Sequence, residues 1–368
     1  MNPFDYQSPV GSARLIDRRH ELDELQRAAA NRTAIRLAAP RRFGKTTLLD
    51  AHVRAMREVG HRAVRVDFSK VATVADAAAR VAAAYAALPA DRQRSVARWS
   101  SRLGISARLG PIAAQIAPRP QRHPDDTRAA LLELLDVPRA LAESDGDLTI
   151  VCFDEFQDLL VADDALDGLV RSVIQHHGGA ASYVFAGSQP SLMRVLFSEH
   201  ERPFYGQARP LDLPPLPVDE AAHDISRLFD ADGLLVRTGA AVDELIAFTM
   251  GHPQRTILLA HHLYEIADAG EPVDDPALDA IDRGLRETRD AHQALWDSLP
   301  RIERIVCIAL ADGQAPTGTR VADEHRVPRS TLQDALERLL SDGRQVQRRE
   351  GGTPHLLDPL FAEWLRRR

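Results

Sequence analysis

The amino-acid sequence predicts an α/β fold with three parts: a parallel-sheet core, a helical lid and a C-terminal winged helix-turn-helix. Short apolar strand patterns alternate with helical patterns as far as residue 213, which is typical of a parallel sheet. Only helical patterns follow, from about 218 to 292. The last part combines three helical patterns with the hairpin signal Gly351-Gly352, and this combination is typical of a winged helix.

Five strands are predicted in the core. The third is an almost continuous apolar run, so we expect it to be buried on both faces of the sheet. The predicted strands are 34–38, 63–68, 148–153, 182–186 and 210–213. The helical patterns around them are 18–30, 46–58, 73–88 and 125–143. The segment 98–124 contains two glycines and four prolines, which favour an irregular insertion.

The remaining helices follow from apolar residues that recur at the helical period. In the helical region they are predicted at 218–231, 240–249, 254–269 and 275–292. In the last part they are predicted at 298–311, 317–325 and 329–340. We therefore expect three domains, whose boundaries are 1–216 for the core, 217–292 for the lid and 293–368 for the winged helix.

Composition excludes several classes of protein. The 368 residues carry a net charge of −7 at pH 7, so any contact with nucleic acid needs a local basic surface. No stretch reaches the roughly 20 apolar residues of a membrane span. The N-terminus shows no signal pattern, and Cys152 and Cys307 each lie in an apolar run. We therefore expect a cytoplasmic protein that has no membrane partner and keeps both cysteines as small buried side chains.

A phosphate-binding loop directly follows the first predicted strand. Residues 39–47 read Ala-Pro-Arg-Arg-Phe-Gly-Lys-Thr-Thr, which fits the pattern G-x-x-x-x-G-K-[ST] with alanine at the first glycine. Its Lys45 is one of only two lysines among 46 basic residues. The strand–loop–helix context is the one that this motif requires. The expected nucleotide-binding residues are Pro40, Arg41, Arg42, Phe43, Gly44, Lys45, Thr46 and Thr47.

Phosphate binding, Mg²⁺ binding and water activation each need a particular type of side chain. The ammonium of Lys45 can reach the β- and γ-phosphates, and the hydroxyl of Thr46 can bind Mg²⁺. Asp154 follows the buried third strand, where open α/β sheets bind ligands, and it is the second expected Mg²⁺ ligand. Glu155 comes next and suits a general base that activates water. The alternative is a pair of surface acids that cap a strand.

Each of the further candidate site residues also has a purely structural interpretation. Ser188, after the fourth strand, either bonds the γ-phosphate or water, as Gln189 could, or is a polar strand end. Arg255 either reaches the γ-phosphate from the lid or is a solvated arginine at a helix start. Arg202 and Arg209 could supply an arginine finger, but arginine is so common in this chain that the structural interpretation leads for both.

The winged helix offers a second type of contact. Arg329, Arg338, Arg348 and Arg349 could contact double-stranded DNA, while nearby acidic side chains on the third helix would repel phosphate. Residues 296–368 contain 12 arginines and 11 acids, a net charge of only 12 − 11 = +1. DNA binding therefore competes with a protein-docking or autoinhibitory role.

Taken together, these motifs resemble the archaeal-type ATPases of the AAA+/STAND group and their origin-recognition-like relatives. Their segments in this chain are 2–4, 18–25, 40–46, 153–157, 187–189, 203–206 and 358–365. The resemblance implies that the phosphate-loop strand lies beside the strand that carries Ser188 as a sensor, and that Arg18 lies near the base or ribose. The chain departs from the family at two positions. Ala39 replaces the usual first glycine of the phosphate loop. Gln207 stands where the family often has an arginine, and this weakens the case for an arginine finger in the loop at 203–206.

The leading hypothesis is an ATPase with Mg²⁺ as cofactor and slow turnover, which couples its nucleotide state to movement of the lid and winged helix. The first alternative is a DNA-binding regulator, or initiator-like protein, that uses ATP mainly as a structural ligand. The second is a scaffold in signalling or defence that forms a homo-oligomer with ATP.

Overall fold

The computed structural model describes residues 2–6, 17–88, 124–270, 273–343, 345–349 and 351–368. The predicted insertion at 98–124 lies outside these residues except for its last position. Within the described part of the chain, no helix is both long and apolar enough to cross a membrane. Cys152 and Cys307 are buried free thiols, as predicted.

The chain divides into two compact units. The first, called here the core unit, consists of Arg19–Ala39 and Lys45–Leu213. The second, called here the C-terminal unit, consists of Met1–Arg18, Pro40–Gly44 and Pro214–Arg368. The tip of the phosphate loop therefore belongs to the C-terminal unit. The three-domain division expected from the sequence stays a prediction.

The core unit is built from helices and strands that alternate along the chain. Its helices are α1 (Arg19–Ala30), α2 (Lys45–Glu58), α3 (Val74–Ala86), α4 (Pro124–Leu135), α5 (Val137–Asp145), α6 (Leu159–Ala162), α7 (Leu166–Ile174) and α8 (Pro190–Ser198). Its strands are β1 (Ile35–Ala38), β2 (Arg62–Asp67), β3 (Thr149–Asp154), β4 (Ala181–Gly187) and β5 (Arg209–Asp212). The single helix predicted at 125–143 is wrong, because the chain breaks at Asp136. Pro138 lies in the first turn of α5. Its missing N–H is tolerated at the start of a helix but would remove a backbone hydrogen bond in the interior of one.

All five strands of the core sheet run parallel, in the order β2-β3-β4-β1-β5. The predicted neighbourhood of the phosphate-loop strand β1 and the sensor strand β4 is confirmed, with Ala38 opposite Gly187. On the other side of β4, Asp67 of β2 lies opposite Asp154 of β3. The carboxyl ends of parallel strands meet at one edge, and the candidate site residues follow the strands there.

A cluster of aromatic rings packs β3 and β4 against segments that follow them in the chain. The ring of Phe153 on β3 lies 5.7 Å from that of Phe185 on β4. Phe156, just beyond β3, lies 4.9 Å from Phe185 and 5.3 Å from Phe204. Full burial of each phenylalanine contributes about 1.5–3 kcal/mol, so the strand end that carries Asp154 is firmly anchored.

The C-terminal unit contains the helices of the predicted lid and of the winged helix. They are α9 (Val218–Ala231), α10 (Leu235–Thr249), α11 (Pro253–Ala269), α12 (Pro276–Ser298), α13 (Arg301–Ala311), α14 (Thr319–His325), α15 (Arg329–Asp342) and α16 (Pro359–Arg366). The helix predicted to end at 292 instead continues to Ser298. Its buried face extends through His292 and Trp296, and it ends where Leu299 precedes Pro300.

The winged helix is present as predicted. The strands β6 (Val346–Arg348) and β7 (Pro354–Leu356) form its antiparallel hairpin. The predicted apolar face of α15 is buried through Leu332, Ala335 and Leu339. The α/β class with a parallel sheet and a C-terminal winged helix is therefore confirmed.

Candidate nucleotide-binding site

The phosphate loop joins β1 to the start of α2. Gly44 has a φ of +84°, a conformation that glycine adopts freely, and Arg42 has a φ of +70°. Lys45 is the first residue of α2 and is only 5% exposed. Its Nζ donates a hydrogen bond of 2.8 Å to the carbonyl oxygen of Ala39, at the base of the loop. A buried ammonium beside a helix N-terminus is an arrangement that favours an anion.

Thr46 and Asp154 lie together although they are 108 residues apart in sequence. The hydroxyl Oγ1 of Thr46 donates a hydrogen bond of 3.0 Å to Oδ2 of Asp154, which is 2% exposed. Burial raises the pKa of the Asp154 carboxyl, and the Arg65 guanidinium and Thr46 hydroxyl only partly offset this effect. The pair offers two oxygen ligands of the kind that Mg²⁺ prefers.

Arg65 of β2 is part of this arrangement, and the sequence interpretation missed it. Its Nη1 lies 3.2 Å from Oδ2 of Asp154, and its Nε lies 2.7 Å from Oδ1 of Asp50. Burial disfavours the charge of Arg65, but Asp50 and Asp154 outweigh burial and raise the pKa of its guanidinium. The available signal was an arginine inside the otherwise apolar Ala63–Val66.

Glu155 follows β3 with a φ of +52°, and one of its carboxylate oxygens accepts three hydrogen bonds. Oε2 accepts from the hydroxyl of Ser188 at 2.6 Å and from its backbone N–H at 3.1 Å. The third donor is Nε2 of Gln157, at 2.6 Å. Ser188 is thus brought to Glu155, and Gln157, which is 1% exposed, is a residue that the sequence interpretation missed.

Arg255 opens α11 inside the C-terminal unit and is only 2% exposed. The interpretation as a solvated helix-start arginine is therefore wrong. Its Nε donates to Oδ1 of Asp358 at 2.9 Å, and its Nη2 contacts Oδ2 of the same carboxylate. His292 lies 3.4 Å from that oxygen. Contact of Arg255 with a γ-phosphate stays a prediction.

The tip of the phosphate loop packs on the start of α11. The rings of Phe43 and His252 lie 5.1 Å apart in an edge-on arrangement. Nδ1 of His252 in turn accepts the backbone N–H of Arg255 at 3.3 Å. Burial and the nearby Arg255 lower the pKa of the Arg42 guanidinium, while Asp358 acts in the opposite direction. The loop tip and the Arg255–Asp358 pair therefore belong to one connected group of side chains.

The other predicted arginines of the lid and core are held by internal contacts. Arg18 is 3% exposed, and its Nη2 donates to the carbonyl oxygen of Pro214 at 2.6 Å. Arg202 pairs with Asp167 at 3.5 Å, and Arg209 pairs with Glu24 at 3.2 Å. The roles of Arg18 at the base and of Arg202 or Arg209 as a finger stay predictions.

All four predicted DNA-contacting arginines of the winged helix have partners inside the C-terminal unit. Arg338 pairs with Glu303 at 3.2 Å, and Arg348 pairs with Glu337 at 3.1 Å. Nε of Arg329 donates to the carbonyl oxygen of Thr317 at 2.9 Å. Nη2 of Arg349 lies 2.6 Å from the sulfur of Met250. All four arginines remain exposed at the surface.

Comparison with known proteins shows which solved structures have a similar fold. No protein-family model matches the chain, and no curated protein matches it. A Walker-type ATPase of Pyrococcus abyssi is similar in structure, with a TM-score of 0.71 and 19% identity over 99% of each chain. The chain has the fold of the P-loop ATPases. The ORC2 protein of Aeropyrum pernix, in ADPNP–ADP complexes, has a TM-score of 0.58 and 16% identity over 98% of this chain and 94% of its own.

A further solved structure is similar in fold. The ORC1 protein of Aeropyrum pernix, in complex with DNA, has a TM-score of 0.50 and 17% identity over 95% of this chain and 91% of its own. The resemblance expected from the sequence motifs therefore holds for the fold. At such low sequence identities, structural similarity shows a shared fold and does not show a shared activity.

Proposed function

We propose that this protein binds ATP and Mg²⁺ and hydrolyses ATP slowly, as a molecular switch of the AAA+ type. The observation that carries the proposal is the hydrogen bond of 3.0 Å between Thr46 and Asp154 in the core unit. It joins the end of a phosphate loop to the end of a buried strand, although the two residues are distant in sequence. Chance matches to a short loop motif lack such a partner.

Lys45, Thr46 and Asp154 have the chemistry that a bound nucleotide needs. The ammonium of Lys45 would move from the carbonyl of Ala39 to the phosphate oxygens, which carry far more negative charge. No cluster of three or more His, Cys, Asp or Glu side chains could hold a metal ion in the described part of the chain. Thr46 and Asp154, whose side chains lie 3.0 Å apart, would hold Mg²⁺ together with phosphate oxygens, and the ion would neutralise charge that develops on the phosphates.

Glu155 is the proposed general base. The hydrogen bonds from Ser188 and Gln157 all reach Oε2 of Glu155, so they orient the carboxylate while Oε1 can take a proton. In the proposed step, water attacks the γ-phosphorus and the bond from this phosphorus to the β–γ bridging oxygen breaks. Glu155 takes the proton of the water, and ADP and phosphate are the products.

Slow turnover is proposed because the candidate finger arginines are already paired with acids. Transition-state charge in this reaction is commonly stabilised by an added arginine. Arg202 and Arg209 pair with acids of the core unit, and Gln207 accepts a hydrogen bond from Arg171 at 2.8 Å. We therefore propose a low basal rate that rises when another protein, or a second copy of this chain, supplies an arginine.

The switch is supported by contacts inside the C-terminal unit. Phe43 of the loop tip touches His252, which accepts the backbone N–H of Arg255. Arg255 is paired in turn with Asp358, which precedes α16 of the winged helix. Displacement of the loop tip by nucleotide would therefore disturb a chain of contacts that ends at the winged helix.

Hydrolysis by two variants tests the proposal. Lys45→Ala is expected to lose Mg²⁺-dependent ATP binding and hydrolysis. Glu155→Gln is expected to bind ATP with unchanged affinity and to hydrolyse it at least ~100-fold more slowly, since general-base catalysis contributes factors of this order. Glu58→Gln is a matched control, because Glu58 is an exposed glutamate of the core unit. Hydrolysis by Glu155→Gln at the wild-type rate would show that another group activates the water.

DNA binding is kept as the second candidate, because Arg348 and Arg349 are exposed on the wing. Arg348→Ala with Arg349→Ala should then weaken duplex binding and reduce its salt dependence. The ion pairs of Arg338 and Arg348 with acids reduce the charge that is available for phosphate. Light scattering with and without ATP separates both candidates from an ATP-dependent homo-oligomer.

A further inference from the structure

The C-terminal unit contains a cavity of about 470 Å³ between α12 and α16. Arg286, Arg289 and Gln293 of α12 line one side of it. Their spacing of three and four residues places them on one helix face. The end of α16 provides the other side, which is formed by Trp364, Arg367 and Arg368.

Several guanidinium groups of this cavity carry uncompensated charge. Arg286 and Arg289 are exposed, and neither has an acidic partner within the described parts of the chain. The guanidinium of Arg368 lies over the rings of Trp296 and Trp364, at 4.6 and 5.1 Å from their centroids. These contacts orient the group but leave its positive charge without a carboxylate.

The acid that lines the cavity is already paired. Asp282 lies 2.5 Å from Arg367, and the same arginine also contacts Glu363 at 2.7 Å. A solvated helix surface explains one exposed arginine, but here three converge on a concave site in a protein of net charge −7. Concave walls strengthen the attraction of such a site for anions.

We infer that this cavity binds a phosphate-bearing ligand. Guanidinium groups bind phosphate oxygens in pairs and with fixed geometry, which a lysine cluster would not do. The volume lies within the range of small-ligand sites, roughly 300–1,000 Å³. Trp364 and the buried Leu285 form an apolar wall for an organic group attached to the phosphate. The source of the phosphate is either a small phosphate ester or the backbone of a nucleic acid.

The experiment is calorimetry at low salt with inorganic pyrophosphate as the probe. It uses the full chain with Lys45→Ala, so that the phosphate loop contributes least and the outcome is independent of the proposed ATPase activity. We expect one site per chain. Arg286→Gln combined with Arg289→Gln should weaken binding at least ~10-fold, since two charge-assisted contacts are lost. Arg320→Gln, an exposed arginine of α14 outside the cavity, should leave it unchanged.

A short labelled oligothymidylate then distinguishes the sources. If it binds and pyrophosphate displaces it, the ligand is a nucleic-acid backbone, and if only pyrophosphate binds, the ligand is a small phosphate ester. Absence of pyrophosphate binding overturns the inference. Equal binding by the double variant and by Arg320→Gln overturns it as well. Circular dichroism of each variant verifies that the chain is folded.

Discussion

Asp358 is the residue whose replacement should damage the C-terminal unit most. Its carboxylate accepts two hydrogen bonds from Arg255 and also caps α16, through the N–H groups of Leu360 at 3.0 Å and Phe361 at 3.3 Å. Arg255 is 2% exposed, so removal of the carboxylate leaves a buried cation without a partner. The pair also joins α11 to the winged helix, which the proposed switch requires.

The expected cost can be worked from these contacts. Loss of one partner of a buried ion pair costs about 3–5 kcal/mol, and the lower end applies because the Asp358 side chain is 24% exposed. Loss of an N-cap adds about 1 kcal/mol. Asp358→Ala should therefore lower the free energy of unfolding of this unit by about 4 kcal/mol. Asp358→Asn keeps a capping oxygen and should cost about 2–3 kcal/mol.

The contribution of Asp358 to the free energy of unfolding should decrease at acidic pH. Burial alone would raise the pKa of Asp358, but the hydrogen bond from His292 and the charge of Arg255 hold this pKa far below its ordinary value. A carboxyl with a lowered pKa in the folded state stabilises the fold above its unfolded pKa of about 3.9. The wild type should lose this contribution as the pH falls below about 4, and Asp358→Ala should not.

Urea unfolding followed by tryptophan fluorescence measures the effect, since Trp296 and Trp364 lie in the same unit. Asp323→Ala removes an exposed acid of α14 and should change the free energy of unfolding by less than about 0.5 kcal/mol. The double variant Arg255→Met with Asp358→Ala should cost less than the sum of the single changes. A loss below about 1 kcal/mol in Asp358→Ala would refute the reasoning.

Three further changes have definite expected outcomes. His52→Leu should stabilise the core unit by about 1–2 kcal/mol at pH 7, because His52 is fully buried and neither ring nitrogen has a partner among the described residues. Burial lowers the pKa of His52 to about 4, so the wild type should lose up to about 3 kcal/mol between pH 6.5 and 4 in urea unfolding, and the leucine variant should lose less. Ser188→Ala should lower the kcat of ATP hydrolysis about tenfold with unchanged ATP affinity, since Glu155 loses a positioning hydrogen bond. Gly251→Ala should cost about 2–4 kcal/mol in thermal or urea unfolding, because φ is +72° and a Cβ would lie 2.1 Å from the carbonyl oxygen of Leu216.

Features encoded in contiguous segments of the sequence could be predicted from local patterns. The strand–loop–helix around Lys45 and the apolar strand before Asp154 are contiguous segments, so their periodicity and spacing were readable. The break at Asp136 was also signalled locally, by Pro138. The end of α12 was misplaced by six residues, since packing of Trp296 extends that helix and periodicity alone does not specify where packing stops.

Contacts between distant segments could not be read in this way. Arg255 is 103 residues from Asp358, and no local pattern links the two. Arg65 reaches Asp154 only because β2 and β3 are neighbours in the sheet. Strand order was available only through resemblance to a family, whereas side-chain partners depend on packing in this chain.

Calorimetric titration with ATP tests the central claim most directly: a triphosphate is held by Lys45, with Mg²⁺ on Thr46 and Asp154. The account predicts one Mg²⁺-dependent ATP site per chain for the wild type, weaker binding when the metal is chelated, and loss of this Mg²⁺-dependent heat in Lys45→Ala. Equal heats for the wild type and Lys45→Ala, or no heat for either, would contradict it.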